Sequence, residues 1–161
     1  VHATLKPLRL DHTARIYGVI VMSNSTAVSV QFKLDSMLAI LPANISTLKA
    51  ALYLTTASIG ATTTAYTATG EVSGAGYTAG GIAVTAANAP SISSNVVIWT
   101  PSANLVYSGV TLTTAFDCVL IYDTARSNKA IGSWNFGSNT CTGTMTLTMP
   151  VNAVGTALIQ G

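Results

Sequence analysis

From residue 47 to residue 55 the chain alternates. Thr47, Lys49, Ala51, Tyr53 and Thr55 fall on one side, and Leu48, Ala50, Leu52 and Leu54 on the other, the period-two pattern of a half-buried strand. Similar patterns predict strands over 81–85, 95–100, 111–122 and 130–136. The most regular is 141–149, where Thr142, Thr144, Thr146 and Thr148 face one way and Gly143, Met145, Leu147 and Met149 the other. A threonine ladder suits a pleated surface turned to water or to a partner. One segment changes period: Leu34, Met37, Leu38 and Leu41 recur at helical spacing, with Asp35 near the start and Pro42 as the stop, which predicts one short helix.

Turn residues punctuate the rest at short intervals: Gly60, Gly70, Gly74, Gly76, Gly80, Pro90, Pro101, Gly109, Ser127-Asn128 and Gly137. Many short strands between such signals predict an all-β, mainly antiparallel fold, a β-sandwich or jelly-roll-like barrel, with the one short helix and an N-terminal arm. There is no repeat of fixed period. We divide the chain into an arm, residues 1–30, and a single β-rich core domain, residues 31–161; 161 residues suffice for one hydrophobic core.

Charge alters this picture more than hydropathy does. Apolar residues make up 49% of the chain, close to the globular norm, but charged residues only 7% against about a quarter in ordinary domains. Between Lys49 and Asp117 there is one formal charge, Glu71. A surface so poor in charge favours association, so much of it is expected to lie against other subunits. The net charge of +2 excludes a strongly phosphate-binding surface over the whole domain. Lys6, Arg9 and Arg15, with His2 and His12, cluster in the first fifteen residues against Asp11 alone. Leu5, Leu8, Leu10, Ile16, Ile20 and Val21 lie among them, which predicts an ordered arm gripping a larger acidic body, with Lys6, Leu8, Arg9, Leu10 and Arg15 as its contact residues.

Candidate chemistry is sparse. Both histidines, His2 and His12, lie in the arm, so a Ser-His-Asp arrangement would need the arm to supply its base. Asp117 and Asp123 share a strand face by parity but are separated by roughly 20 Å along an extended chain, too far for joint acid-base work. Asp123 opens the hairpin loop 123–129, whose charges are expected to solvate it. The run from Gly74 to Gly81 carries glycines at dinucleotide-loop offsets, yet the strand-like Ile82-Ala83-Val84-Thr85 follows where a helix would have to open. We read Gly74, Gly76, Tyr77, Gly80 and Gly81 as a structural crossing that needs positive φ and close backbone approach. Glu71 beside it is expected to accept backbone hydrogen bonds or to pair with a Lys or Arg across an interface. Trp99, Tyr107, Phe116, Tyr122, Trp134 and Phe136 fall within strand patterns and are read as packing residues. Cys118 and Cys141 lack metal-ligand spacing and are expected to be buried thiols, not a disulfide, in a reducing compartment. No cofactor is expected. The longest apolar run, residues 18–22, is far short of the ~20 residues needed to cross a bilayer, and the start has no signal-peptide pattern. Val1 is expected to follow removal of an initiator Met, which points to cytoplasmic synthesis.

Five segments, taken together, resemble a family of small tailed-bacteriophage virion proteins: Leu48-Lys49-Ala50-Ala51-Leu52-Tyr53, Glu71-Val72-Ser73-Gly74-Ala75-Gly76-Tyr77-Thr78-Ala79-Gly80-Gly81, Leu120-Ile121-Tyr122-Asp123, Asn135-Phe136-Gly137-Ser138 and Thr146-Leu147-Thr148-Met149-Pro150. The resemblance runs from about Phe32 to the C-terminus; residues 1–30 depart from the pattern. It implies a structural place in a virus particle, not an enzyme. Capsid decoration, or cementing, on the outside of an icosahedral shell suits a small β-domain with a basic arm. The implied partners are the major capsid protein and further copies of this chain as a dimer or trimer, with no membrane and no direct nucleic-acid contact. The implied location is the capsid surface after synthesis in the host cytoplasm. A tail, connector or fibre-base part and a glycan- or receptor-binding module are the alternatives.

Overall fold

The computed structural model describes residues 24–29, 47–84, 90–94 and 96–160. The helix expected over 34–41 lies outside the described residues, as do Lys6, Leu8, Arg9, Leu10 and Arg15. What is described is mostly antiparallel β in two sheets. The strands are β1 (Ala27–Val28), β2 (Leu48–Leu54), β3 (Ile82–Ala83), β4 (Ser91–Ser93), β5 (Val96–Trp99), β6 (Leu105–Asp123), β7 (Lys129–Leu147) and β8 (Ile159–Gln160). The larger sheet has the order β1-β7-β6-β2-β3 and the smaller one β4-β5-β8. Residues 24–29 fall within the segment read as an arm; their strand β1 pairs with β7 through Ala27 to Ser133 and Val28 to Gly132.

The spine is the β6–β7 hairpin. Each strand is 19 residues long, well beyond the usual ~3–10. Such length is possible because the ladder is broken by bulges, between Tyr107 and Val110, Leu112 and Phe116, Phe116 and Cys118, and Ile121 and Tyr122. Each extra residue bends the strand and sharpens its twist. Here the expectation needs correcting: 130–136 and 141–149 are one strand, and Gly109 and Gly137 are not turns. Their positive φ of 66° and 84° serves bulges inside β6 and β7. Positive φ is a requirement shared by turns and bulges, so the residue type alone does not distinguish them.

The hairpin closes where expected, at residues 123–129, through a 3-10 turn at Thr124–Arg126 with Ser127 and Asn128 at φ of 52° and 58°. Asp123, however, is 2% exposed and does not solvate the loop. Its Oδ1 accepts from Thr47 Oγ1 at 2.5 Å and from Ala125 N at 2.9 Å, so it caps the turn and ties it to the start of β2.

β2 also departs from expectation, being buried on both faces rather than half-buried. Leu48, Ala50 and Leu52 pack with Val119, Ile121 and Ile131 and with Trp99 and Ile159 of the smaller sheet. Ala51 and Tyr53, on the side read as polar, pack with Cys118, Leu120, Tyr122 and Ala130. Ala57, Ile59 and Tyr66 cover that second face because residues 55–70 fold back over it. Tyr66 N donates to Asn128 O and Ala130 N to Thr64 O. The threonine ladder of β7 behaves as read: Thr142, Thr144 and Thr146 are exposed, while Met145 and Leu147 pack against the core.

Candidate functional site

The motif residues Glu71, Gly74, Gly76, Tyr77, Gly80 and Gly81 come together against the sheet. Residues 71–81 leave the edge of β2 at a Tyr53–Glu71 bridge, cross to β6 at an Ala75–Thr111 bridge and return to pair as β3. Glycine is required by this route. A Cβ on Gly74 would collide with Thr111 O, one on Gly76 with Gly109 O, and one on Gly81 with Ala50 O. Gly76, Gly80 and Gly81 also take φ of 76°, 85° and 73°. The dinucleotide alternative fails on the same geometry, since no helix opens here and the backbone is spent on the sheet.

Glu71 holds the crossing in place. Its Oε1 accepts from Tyr77 OH at 2.8 Å and from Gly80 N at 2.7 Å, and its Oε2 accepts from Tyr66 OH at 2.7 Å. Of the two roles expected for this carboxylate, the structure carries the backbone hydrogen bond. The network spreads outward through phenols. Tyr77 OH accepts from Leu52 N at 3.0 Å. Tyr122 OH donates to Gly80 O at 2.8 Å and Tyr107 OH to Ala50 O at 3.0 Å. Tyr66 stacks on Tyr122 at 4.8 Å and Tyr77 lies over Tyr107 at 6.2 Å. A half-buried carboxylate in charge-assisted bonds to three donors makes a clamp. Both of its oxygens are committed inside the scaffold.

Tyr66 and Tyr77 were not singled out as Glu71 partners from sequence, nor were Tyr107 and Tyr122. A signal did exist: each phenol sits among threonines, alanines or short apolar runs that offer no other strong acceptor. Burial raises the pKa of Tyr53, Tyr66, Tyr77, Tyr107 and Tyr122, and the Glu71 carboxylate adds to each. Tyr66 is pushed up to about 12. Ionisation creates charge on a phenol, so the folded state keeps protons that the unfolded chain releases from pH 10 upward. That stabilisation is complete below pH 10 and is lost as pH climbs through the folded values. In an alkaline titration we expect these five phenols to ionise, by absorbance at 295 nm, together with loss of near-ultraviolet circular dichroism. Ionisation of all five near pH 10 with the dichroism intact would contradict the network.

The other acids are also engaged structurally. Asp117 accepts from Asn24 Nδ2 and, at 3.0 Å, from Asn135 Nδ2. Asn24 in turn donates to Leu54 O at 2.8 Å and accepts from Ile59 N at 3.1 Å. This cluster ties the segment before β1 to β2, β6 and β7, and shares no partner with Asp123. Cys118 is buried and its thiol is pushed up to about 12 by that burial, with the adjacent Asp117 charge adding. Both cysteines are free thiols, Cys118 buried and Cys141 half-buried. Among the described residues no group of three His, Cys, Asp or Glu side chains is placed to hold a metal. A hollow of about 230 Å³ lies against Leu105, Trp134, Phe136, Met149 and Leu158 and has no charged lining; it is smaller than the ~300–1,000 Å³ of typical ligand pockets. No helix among the described residues is long and apolar enough to cross a membrane. No family model, curated protein or solved structure matches the chain.

Proposed function

We propose that this chain is a non-enzymatic virion structural protein, a capsid decoration or cement protein that binds the outside of an icosahedral shell and stabilises it against internal DNA pressure. The observation that carries this reading is the use of Glu71. The one carboxylate of a long neutral region is consumed in clamping a glycine crossing to a sheet, so the most distinctive motif of the chain is scaffold. The finer fold assignment belongs to the same proposal: two sheets packed face to face as a β-sandwich, supported by Trp99 and Ile159 of the smaller sheet within the core of the larger one. A neutral, hydroxyl-rich surface suits broad contact with other subunits, and many copies on a closed lattice multiply a modest interface energy.

In this reading the basic arm with Lys6, Leu8, Arg9, Leu10 and Arg15 sets register on acidic capsid surface. Rim charges of this kind govern association rate and orientation more than affinity. The direct test is copy number and position in purified particles, from quantitation against the major shell protein and an averaged particle image. Many copies spread over the shell are expected. A few copies at one vertex or on the tail would replace cementing with a connector or tail role. Removal of the residues before Arg15 is expected to abolish shell binding while the circular dichroism of the β core is retained. Full decoration by the truncated protein would remove the arm from the mechanism.

A further inference from the structure

The two long outer edges of the β6–β7 hairpin are finished differently. Beyond the end of β2, the edge of β6 is met by the glycine crossing, where Thr111 N donates to Ala75 O at 2.8 Å. The edge of β7 is met by β1 at Gly132 and Ser133, and Thr26 Oγ1 extends that contact to Asn135 N at 2.7 Å. From residue 139 to residue 147, no described residue pairs with the outer edge of β7. Nine residues of strand amount to about 30 Å of open backbone donors and acceptors.

Natural sheets protect such edges with lysine, proline or inward-pointing charge. This one carries none of them. There is no charged residue from Ala130 to Gly161, and no proline before Pro150. Glycine irregularities are present, but a Cβ on Gly137 or Gly143 would meet nothing within 4 Å, so both sites stand open. Along the edge, Thr140, Thr142, Thr144 and Thr146 are exposed on one face, and Cys141, Met145 and Leu147 are half-buried on the other.

A strand that pairs here must therefore be uncharged, with hydroxyls on one face and apolar groups on the other. The same strand from a second copy meets that specification. Run antiparallel about a two-fold axis, it sets threonine opposite threonine and apolar opposite apolar, since the alternation has period two. A strongly charged partner, nucleic acid included, would find no counter-charge along this edge. We propose that two copies of this chain associate by antiparallel pairing of their residue 139–147 edges into a continuous sheet. The inference goes beyond the assembly reading and stands on the edge geometry alone.

The test uses the purified full chain, so that loss of the dimer and loss of shell binding are read separately. A single strand edge buries less than a standard interface of ~800 Å² per partner, so association is expected to depend on concentration in the micromolar range. Sedimentation velocity should show a dimer at high micromolar concentration for the wild type and for Thr113→Lys, which places the new charge on β6 away from this edge. The double variant Thr142→Lys/Thr144→Lys sets like charges opposite each other and should sediment as a monomer with unchanged circular dichroism. Hydrogen exchange on the wild type gives a second reading that needs no variant: amide protection within 139–147 should rise with protein concentration. A wild-type monomer, a trimer, a dimer that survives both lysines, or protection independent of concentration would overturn the proposal.

Discussion

Gly81→Ala is expected to destabilise the fold by about 4 kcal/mol, combining left-handed backbone strain with overpacking of a closed site. The new methyl would collide with Ala50 O and stand 2.7 Å from Ala51 Cα. Neither can yield easily. Ala50 and Ala51 are fully buried in a strand packed on both faces, and Ala50 O already accepts from Tyr107 OH. Gly81 also holds φ of 73° and closes its turn by donating to Thr78 O at 2.9 Å. Gly143→Ala is the control: its φ of 112° is unfavourable for alanine, but nothing lies within 4 Å of the added carbon. That variant should lose only the backbone term, about 1–2 kcal/mol. Urea unfolding of both reads the difference as a shift in midpoint. Equal losses would mean that β3 is free to move off β2, and that the crossing is not the rigid element described above.

The contrast between these two glycines marks what was legible in the sequence. The run from Glu71 to Gly81 was readable as a close crossing because several glycines stand in a short polar stretch ahead of a strand-like segment, and no helix follows. Gly109 and Gly137 carry the same residue type and the same positive φ, yet sit inside strands; whether the chain turns or bulges depends on the partner strand, which local sequence does not contain. The burial of β2 on both faces was hidden for a related reason. Lys49, Ala51, Tyr53 and Thr55 read as a solvent face, and only the return of residues 55–70, tied down by Tyr66 and Asn24, covers it. Asp123 was placed in the correct loop and given the wrong task, because capping depends on Thr47, far away in sequence. Position along the chain was thus easier to read than environment. The tyrosine shell of Glu71 is the clearest case: the carboxylate stood out by its isolation, whereas Tyr66, Tyr107 and Tyr122 become its neighbours only through strand register.

Glu71→Ala is the second large effect expected, a loss of about 3 kcal/mol, since three charge-assisted bonds are removed at once and water repairs only part of the loss at a half-buried site. Gly80 N would be left without its acceptor, and the Tyr66 and Tyr77 phenols without theirs. Glu71→Gln separates geometry from charge. Its amide oxygen can still accept from Tyr77 OH and Gly80 N, but its NH₂ faces Tyr66 OH, which must turn to accept, so the expected cost is about 1 kcal/mol. The phenols should report the charge independently. Burial is the main cause of their raised pKa and persists in both variants; the added effect of the carboxylate disappears, so Tyr66 should ionise below its folded value of about 12 even in the well-folded Gln variant. The structural consequence can be followed at Thr111, whose amide donates to Ala75 O only while the crossing lies on β6. Hydrogen exchange there should accelerate strongly in Glu71→Ala and little in Glu71→Gln. Releasing the crossing would also uncover the edge of β6, giving the alanine variant a second unpaired edge and a tendency to aggregate that the glutamine variant lacks. If Thr111 stays protected in Glu71→Ala, the glycines alone hold the crossing, and the carboxylate that dominates this neutral stretch is free for a role outside the scaffold.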